Sequence, residues 1–280
     1  MAFAELREAV FLLMRMPLLW IPGVIGGALA AVLWMTLFLS NGFFTSRLLV
    51  IFSLVLLLFV TGMVSVIRNN GGTIRTMLTG GIQYYFRVLL PQLVILFALM
   101  LVFILCTITV AFLGMVPDIG LLIFLTFGIM IPTLMLTFFF DMAAVFEDRR
   151  VFESILRSTQ LVSNRIMEVL SFFIVSAVLC AGVLFSLMIV WEAILFDKLA
   201  PIMDFTEAQR EAFTPDQLFL MIGQDGIVLT AVLVFIGVLI LLPLLFSFKA
   251  CFYKKLVSST ITIEQQTCGE YDSKGRWYKY

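Results

Sequence analysis

Four polar residues stand out by type and position: Asp141, Glu147, Arg157 and Arg165. Carboxylates and arginines in so apolar a chain have two uses. Closed together into a pocket, Asp141, Glu147 and an arginine would make the site of a lipid-modifying enzyme. Spread along a membrane surface, they would pair with one another and fix helices at the headgroup level. Ionisable residues inside apolar runs are functional suspects in their own right. Asp141 follows Phe138-Phe139-Phe140, Glu168 opens the next apolar run, and Glu192 stands beside Trp191 near its end. Each lies within about two turns of the end of its run, so interfacial positioning is the expectation, with Asp141 free to pair with an arginine of a surface helix. The middle of every run lacks a charge, which argues against an ion-coupled pump.

Other chemistries leave no trace. The chain has no histidine, which removes the commonest general base and metal ligand. His-Glu-x-x-His, Gly-x-Ser-x-Gly and Gly-x-x-x-x-Gly-Lys patterns are missing. Cys106 and Cys180 fall in apolar runs, Cys251 and Cys268 in or near the tail, and no pair has zinc or redox spacing. No catalytic residue, cofactor or metal is expected.

The elements that must position these groups are membrane spans. Hydrophobic residues make up 62% of the chain and charged ones 13%, about half the share of a soluble domain. Mean hydropathy is +1.12. Six runs can each cross about 30 Å of hydrocarbon, which takes roughly 20 apolar residues. They lie near 18–40, 48–67, 88–115, 119–146, 167–196 and 226–250. Pro22, Pro91, Pro132 and Pro243 stand within four of them and predict kinks. Gly23, Gly27 and Ala31 form a small-residue face in the first, suited to close packing within the chain. The expected fold is an all-α bundle of six transmembrane helices, with a membrane domain over 1–250 and a cytoplasmic tail over 251–280.

Between the spans lie amphipathic stretches. In 147–165, Val151, Phe152, Ile155, Leu156, Thr159 and Val162 recur at helical spacing, opposite Glu153, Arg157, Ser158, Gln160 and Asn164. Such a helix lies flat at the membrane surface with its apolar face against lipid or neighbouring helices. Residues 2–16 repeat the pattern and lack the cleavage site of a secretory signal. Residues 74–87 do so again, weakened by Gly80 and Gly81. Leu6, Leu78 and Leu156 align without gaps, as do Arg15, Arg87 and Arg165. The result is a threefold repeat of a surface helix and two spans, in units of about 1–70, 71–147 and 148–250.

Orientation follows from the cations. Of 18 lysines and arginines, Arg47, Lys198 and Arg210 fall on one side and the other fifteen on the opposite side. The positive-inside rule makes the richer side cytoplasmic, with both termini there, in a multi-pass protein of the cell membrane. The outer loop 197–225 carries two capping boxes, Thr206–Gln209 and Thr214–Gln217, and predicts two short helices on an acidic surface. In the tail, Asp272 to Gly275 has turn chemistry between aromatics. A small hairpin, a segment lying on the inner leaflet and a loosely docked terminus all fit.

Glu147 with Ser154-Ile155-Leu156-Arg157-Ser158-Thr159-Gln160-Leu161-Val162 resembles a signature of a broad group of prokaryotic membrane proteins. These are related to the membrane domain fused to some glycerophosphoryl diester phosphodiesterases. Their pattern is an acid ending span four, then small-Leu-x-Arg-Ser-x-x-Leu-Val before span five; here Ile155 replaces the usual Leu. The tail from Gly269 is similar to tails of archaeal membrane proteins. The resemblance implies a six-span fold and a membrane location. The phosphodiesterase activity is not implied, because nothing here matches that domain. The expected function is non-enzymatic organisation of lipid or a membrane partner through the cytoplasmic face. A small transporter or flippase for an apolar, lipid-like solute and a lipid-modifying enzyme are the alternatives. Expected partners are membrane lipids, with another membrane protein or a second copy as further options, and no nucleic acid.

Overall fold

The structure is a computed structural model, and it describes residues 2–39, 42–112, 119–203, 205, 214–267, 269–271 and 277–279. The described chain is helical apart from one small hairpin. Its helices are α1 (Ala2–Arg15), α2 (Ile21–Leu39, after a 3-10 turn at Pro17–Trp20), α3 (Gly42–Arg68), α4 (Ile74–Phe112) and α5 (Ile119–Thr137). There follow α6 (Phe140–Phe146), α7 (Val151–Asn164), α8 (Ile166–Ile194), α9 (Phe196–Met203) and α10 (Pro215–Thr267). Six stretches are long and apolar enough to cross a membrane: Pro17–Phe38, Phe44–Arg68, Ile74–Val110, Thr126–Phe146, Ile166–Ile194 and Gln217–Ser258.

Three departures from expectation stand out. The middle surface stretch is not a separate helix. Pro17 ends the first such stretch and Arg165, at φ −137° and ψ 40°, ends the third. Tyr85 to Leu90 contains no such breaker, so α4 runs through Arg87 into the span and reaches roughly 58 Å. Gly80 there serves packing: a Cβ on it would run into Ser65 Oγ on α3.

The fourth span, expected to be continuous, is broken at Phe138-Phe139 between α5 and α6. Within the loop 197–225 the expected short helices are only partly described. Its first capping box lies outside the described residues. The second forms, with the Thr214 amide donating to Gln217 Oε1 at 3.1 Å, and it opens a short helical stretch at the start of α10, as expected. That stretch ends at Gly223, whose φ of 66° and ψ of −171° suit glycine alone and separate it from the long helix that follows. Finally, α10 continues past residue 250 to Thr267. Beyond it, Gly269–Tyr271 (β1) pairs antiparallel with Trp277–Lys279 (β2), Tyr271 opposite Trp277. The turn expected between them lies outside the described residues.

The chain divides into two compact units. The first holds residues 1–8, 61–172 and 248–280; the second holds 9–60 and 173–247. In the second, α2 packs on α10 through its small face. A Cβ on Gly23 would lie 2.6 Å from the Leu239 carbonyl oxygen, and one on Gly27 would lie 2.7 Å from that of Phe235. Only glycine admits so close an approach. In the same unit α8 and α10 border an apolar groove of about 630 Å³, lined by residues such as Leu184, Met188, Leu233, Leu241 and Phe246. Its polar members are satisfied locally: Trp191 Nε1 donates to Thr230 Oγ1 at 2.9 Å, and that hydroxyl donates to the Gly226 carbonyl at 2.7 Å.

The core of the first unit is aromatic. Phe139, Phe172, Phe248, Phe252 and Tyr253 are all buried, with the Phe172 ring 4.6 Å from Phe248 and 4.9 Å from Phe252. This cluster surrounds the break in the fourth span.

Candidate functional site: the polar hub at the break in the fourth span

The site begins with backbone groups that a broken helix sets free. At the end of α5 and the start of α6 the ladder of i→i−4 bonds is interrupted, and unpaired amides and carbonyls are costly in an apolar setting. Ser158 on α7 serves two of them. Its hydroxyl donates to the Leu136 carbonyl at 2.8 Å and accepts from the Phe139 amide at 3.0 Å. Ser158 is completely buried, as is Ser154 one turn earlier. The sequence placed Ser158 on the polar outer face of α7; the structure turns it inward against α5 and α6.

α6 is the hub. Its residues 141–145 are buried, and four other elements fasten it. Asp141, in its first turn, accepts from the Met142 amide at 2.9 Å. Both oxygens of the same carboxylate lie 2.8 Å from Nζ of Lys249 on α10. The ammonium also sits 4.0 Å from the centre of the Phe138 ring. Asp141 was expected to find an arginine of a surface helix; its partner is a lysine of the sixth span. The reason is geometric, since the buried first turn of α6 faces α10.

At the other end of α6, Arg68 from the end of α3 donates to the Val145 carbonyl at 2.9 Å and also to the Tyr84 hydroxyl. Glu147 follows directly. Arg157 Nε on α7 lies 3.0 and 3.1 Å from its two oxygens, the Tyr253 hydroxyl donates to it at 2.7 Å, and Arg149 Nε stands 3.3 Å away. Asp148 takes a left-handed conformation, φ 57°, which Asp tolerates better than most residues. That turn presents both its carbonyl and its carboxylate to Arg87.

Of the four residues singled out by sequence, Glu147 and Arg157 meet directly. Asp141 shares α6 with them but has its own partner. Arg165 pairs with Glu168 three residues on, at 2.6 Å. Glu192 is exposed on α8. The site residues the sequence reading missed are Lys249, Tyr253, Ser158, Arg68 and Tyr84. Two of them carry a usable signal: Lys249 stands inside an apolar run, and Ser158 belongs to the signature that follows Glu147.

The C-terminal part of α10 extends the same network. Lys254 donates to the Ile67 carbonyl at 3.1 Å and to Asn70 Oδ1 at 3.3 Å, at the end of α3. Lys255 pairs with Glu5 of α1. Among the described residues no group of His, Cys, Asp and Glu is arranged to hold a metal. Chemically, each acid of the hub already faces a cation, so the arrangement suits a brace for helices. Comparison with protein-family models, with curated proteins and with solved structures returned no match.

Proposed function

We propose that this chain is a non-enzymatic, multi-pass component of the cell membrane that organises lipid at its cytoplasmic face, where the termini also lie. In this reading α7 is an interfacial helix with three distinct sides. Ser154, Ser158, Leu161 and Val162 are buried against protein. Phe152 and Leu156 are 73% and 58% exposed and meet lipid. Glu153, Gln160 and Asn164 are exposed on the remaining side and meet water. That three-way division is the observation that carries the reading, because a helix buried in a bundle or spanning a bilayer has no use for it.

Two features support a bracing role over catalysis or transport. Asp141 and Glu147 are saturated by Lys249, Arg157 and Tyr253, which leaves neither poised for acid–base work. The groove between α8 and α10 is apolar along its length, which suits a resting acyl chain and offers no polar path for a headgroup.

The test is reconstitution into vesicles carrying fluorescent lipid in both leaflets, with an impermeant reductant added outside. The expected result is bleaching of the outer half alone, as in empty vesicles, with lipid co-purifying in native mass spectrometry. Bleaching of the inner leaflet at a rate that scales with protein would replace this reading with that of a flippase.

A further inference from the structure

We propose that the exposed shoulder formed by the start of α7 and the start of α4 is a docking surface for anionic phospholipid headgroups. The proposal rests on the interfacial reading of α7 and adds the charge class of the lipid. The two helices pack against each other, and Arg87, in the fourth turn of α4, reaches Asp148 just before α7.

Charge accounting gives the argument. Glu147 is paired with Arg157 and Asp148 with Arg87, while Glu153 accepts only from the neutral Arg150 amide at 3.3 Å and keeps its charge. The cations are not matched in the same way. Arg75 and Arg150 are exposed and have no ion-pair partner among the described residues. Arg149 stays 46% exposed and touches Glu147 only at 3.3 Å. On the same two helices Ile74, Phe86, Phe152 and Leu156 are also exposed. Unpaired guanidiniums next to outward aromatic and aliphatic side chains fit a surface whose acyl region is apolar and whose headgroups are phosphates. A zwitterionic headgroup balances its phosphate with its own ammonium, whereas an anionic headgroup offers the guanidiniums net negative charge.

The experiment uses the full chain in nanodiscs that mix phosphatidylglycerol and phosphatidylcholine, with retained lipid counted by native mass spectrometry. Wild type is expected to enrich phosphatidylglycerol. Arg150→Gln and Arg75→Gln should each reduce the enrichment about fivefold, the equivalent of about 1 kcal/mol per arginine. Arg150→Lys should keep most of it, and high salt should lower it. Thermal stability in pure phosphatidylcholine should match wild type for each variant, which separates lost recognition from lost folding. Unchanged enrichment in both glutamine variants, or enrichment indifferent to salt, overturns the proposal. Inner-leaflet bleaching in the vesicle assay would remove the bracing function while leaving this enrichment to be judged by itself.

Discussion

Nζ of Lys249 lies 2.8 Å from both carboxylate oxygens of Asp141, a buried ion pair that joins α10 to the first turn of α6 across 108 residues. Each partner is the other's main compensation for burial. Removing one leaves an uncompensated buried charge, which costs about 3–5 kcal/mol, whereas replacing both with apolar groups is often neutral. Asp141→Asn should therefore lower the detergent-solubilised melting temperature markedly. The double variant Asp141→Leu/Lys249→Met should recover most of the loss. A double variant as unstable as the sum of its parts would show that the pair acts through something other than mutual neutralisation.

Ser158 is the clamp on the broken span. With Ser158→Ala, the Leu136 carbonyl and the Phe139 amide both lose a buried partner. A loss of about 1–3 kcal/mol is expected from denaturant titration. Ser163→Ala, at an exposed position of the same helix, should leave stability within about 0.5 kcal/mol.

Glu147 and Asp148 are neighbours with unequal importance. Glu147 is shielded and gathers Arg157, Arg149 and Tyr253; the Asp148–Arg87 pair has side chains 53% and 39% exposed. Glu147→Gln should be clearly destabilising, whereas Arg87→Gln should cost no more than about 1 kcal/mol. Equal effects in thermal unfolding would mean that the two ends of the loop are coupled.

Gly27 tests the packing of α2 on α10. A methyl group there would meet the Phe235 carbonyl oxygen at 2.7 Å, and that oxygen belongs to a helix backbone. Gly27→Leu is expected to cost about 1–3 kcal/mol or more through overpacking, with Gly27→Ala milder. Wild-type stability in Gly27→Leu would show that α10 can move aside.

The sequence made the spans and α7 readable because both are local properties. Hydropathy over about 20 residues marks a span, and the spacing from Val151 to Val162 marks a helix of its own. The side of α7 that is buried was not readable. Its protein-facing residues include Ser154 and Ser158, whose value lies in hydrogen bonds to a distant break. That break had no local sign, since Thr137-Phe138-Phe139 contains neither glycine nor proline. The Asp141–Lys249 contact is likewise a property of tertiary structure. Tyr85 to Leu90 shows the opposite error, where an aligned arginine suggested a helix end that no breaker enforces.

The central claim is that α7 lies in the membrane interface, and site-directed spin labelling tests it most directly. Single labels would be placed at Phe152, Leu156, Glu153 and Gln160 in reconstituted protein whose native cysteines have been replaced. Collision with oxygen reports lipid, and collision with a water-soluble nickel complex reports solvent. The account predicts oxygen-accessible labels at 152 and 156 and nickel-accessible labels at 153 and 160. Four labels all in hydrocarbon, or all in water, would contradict it.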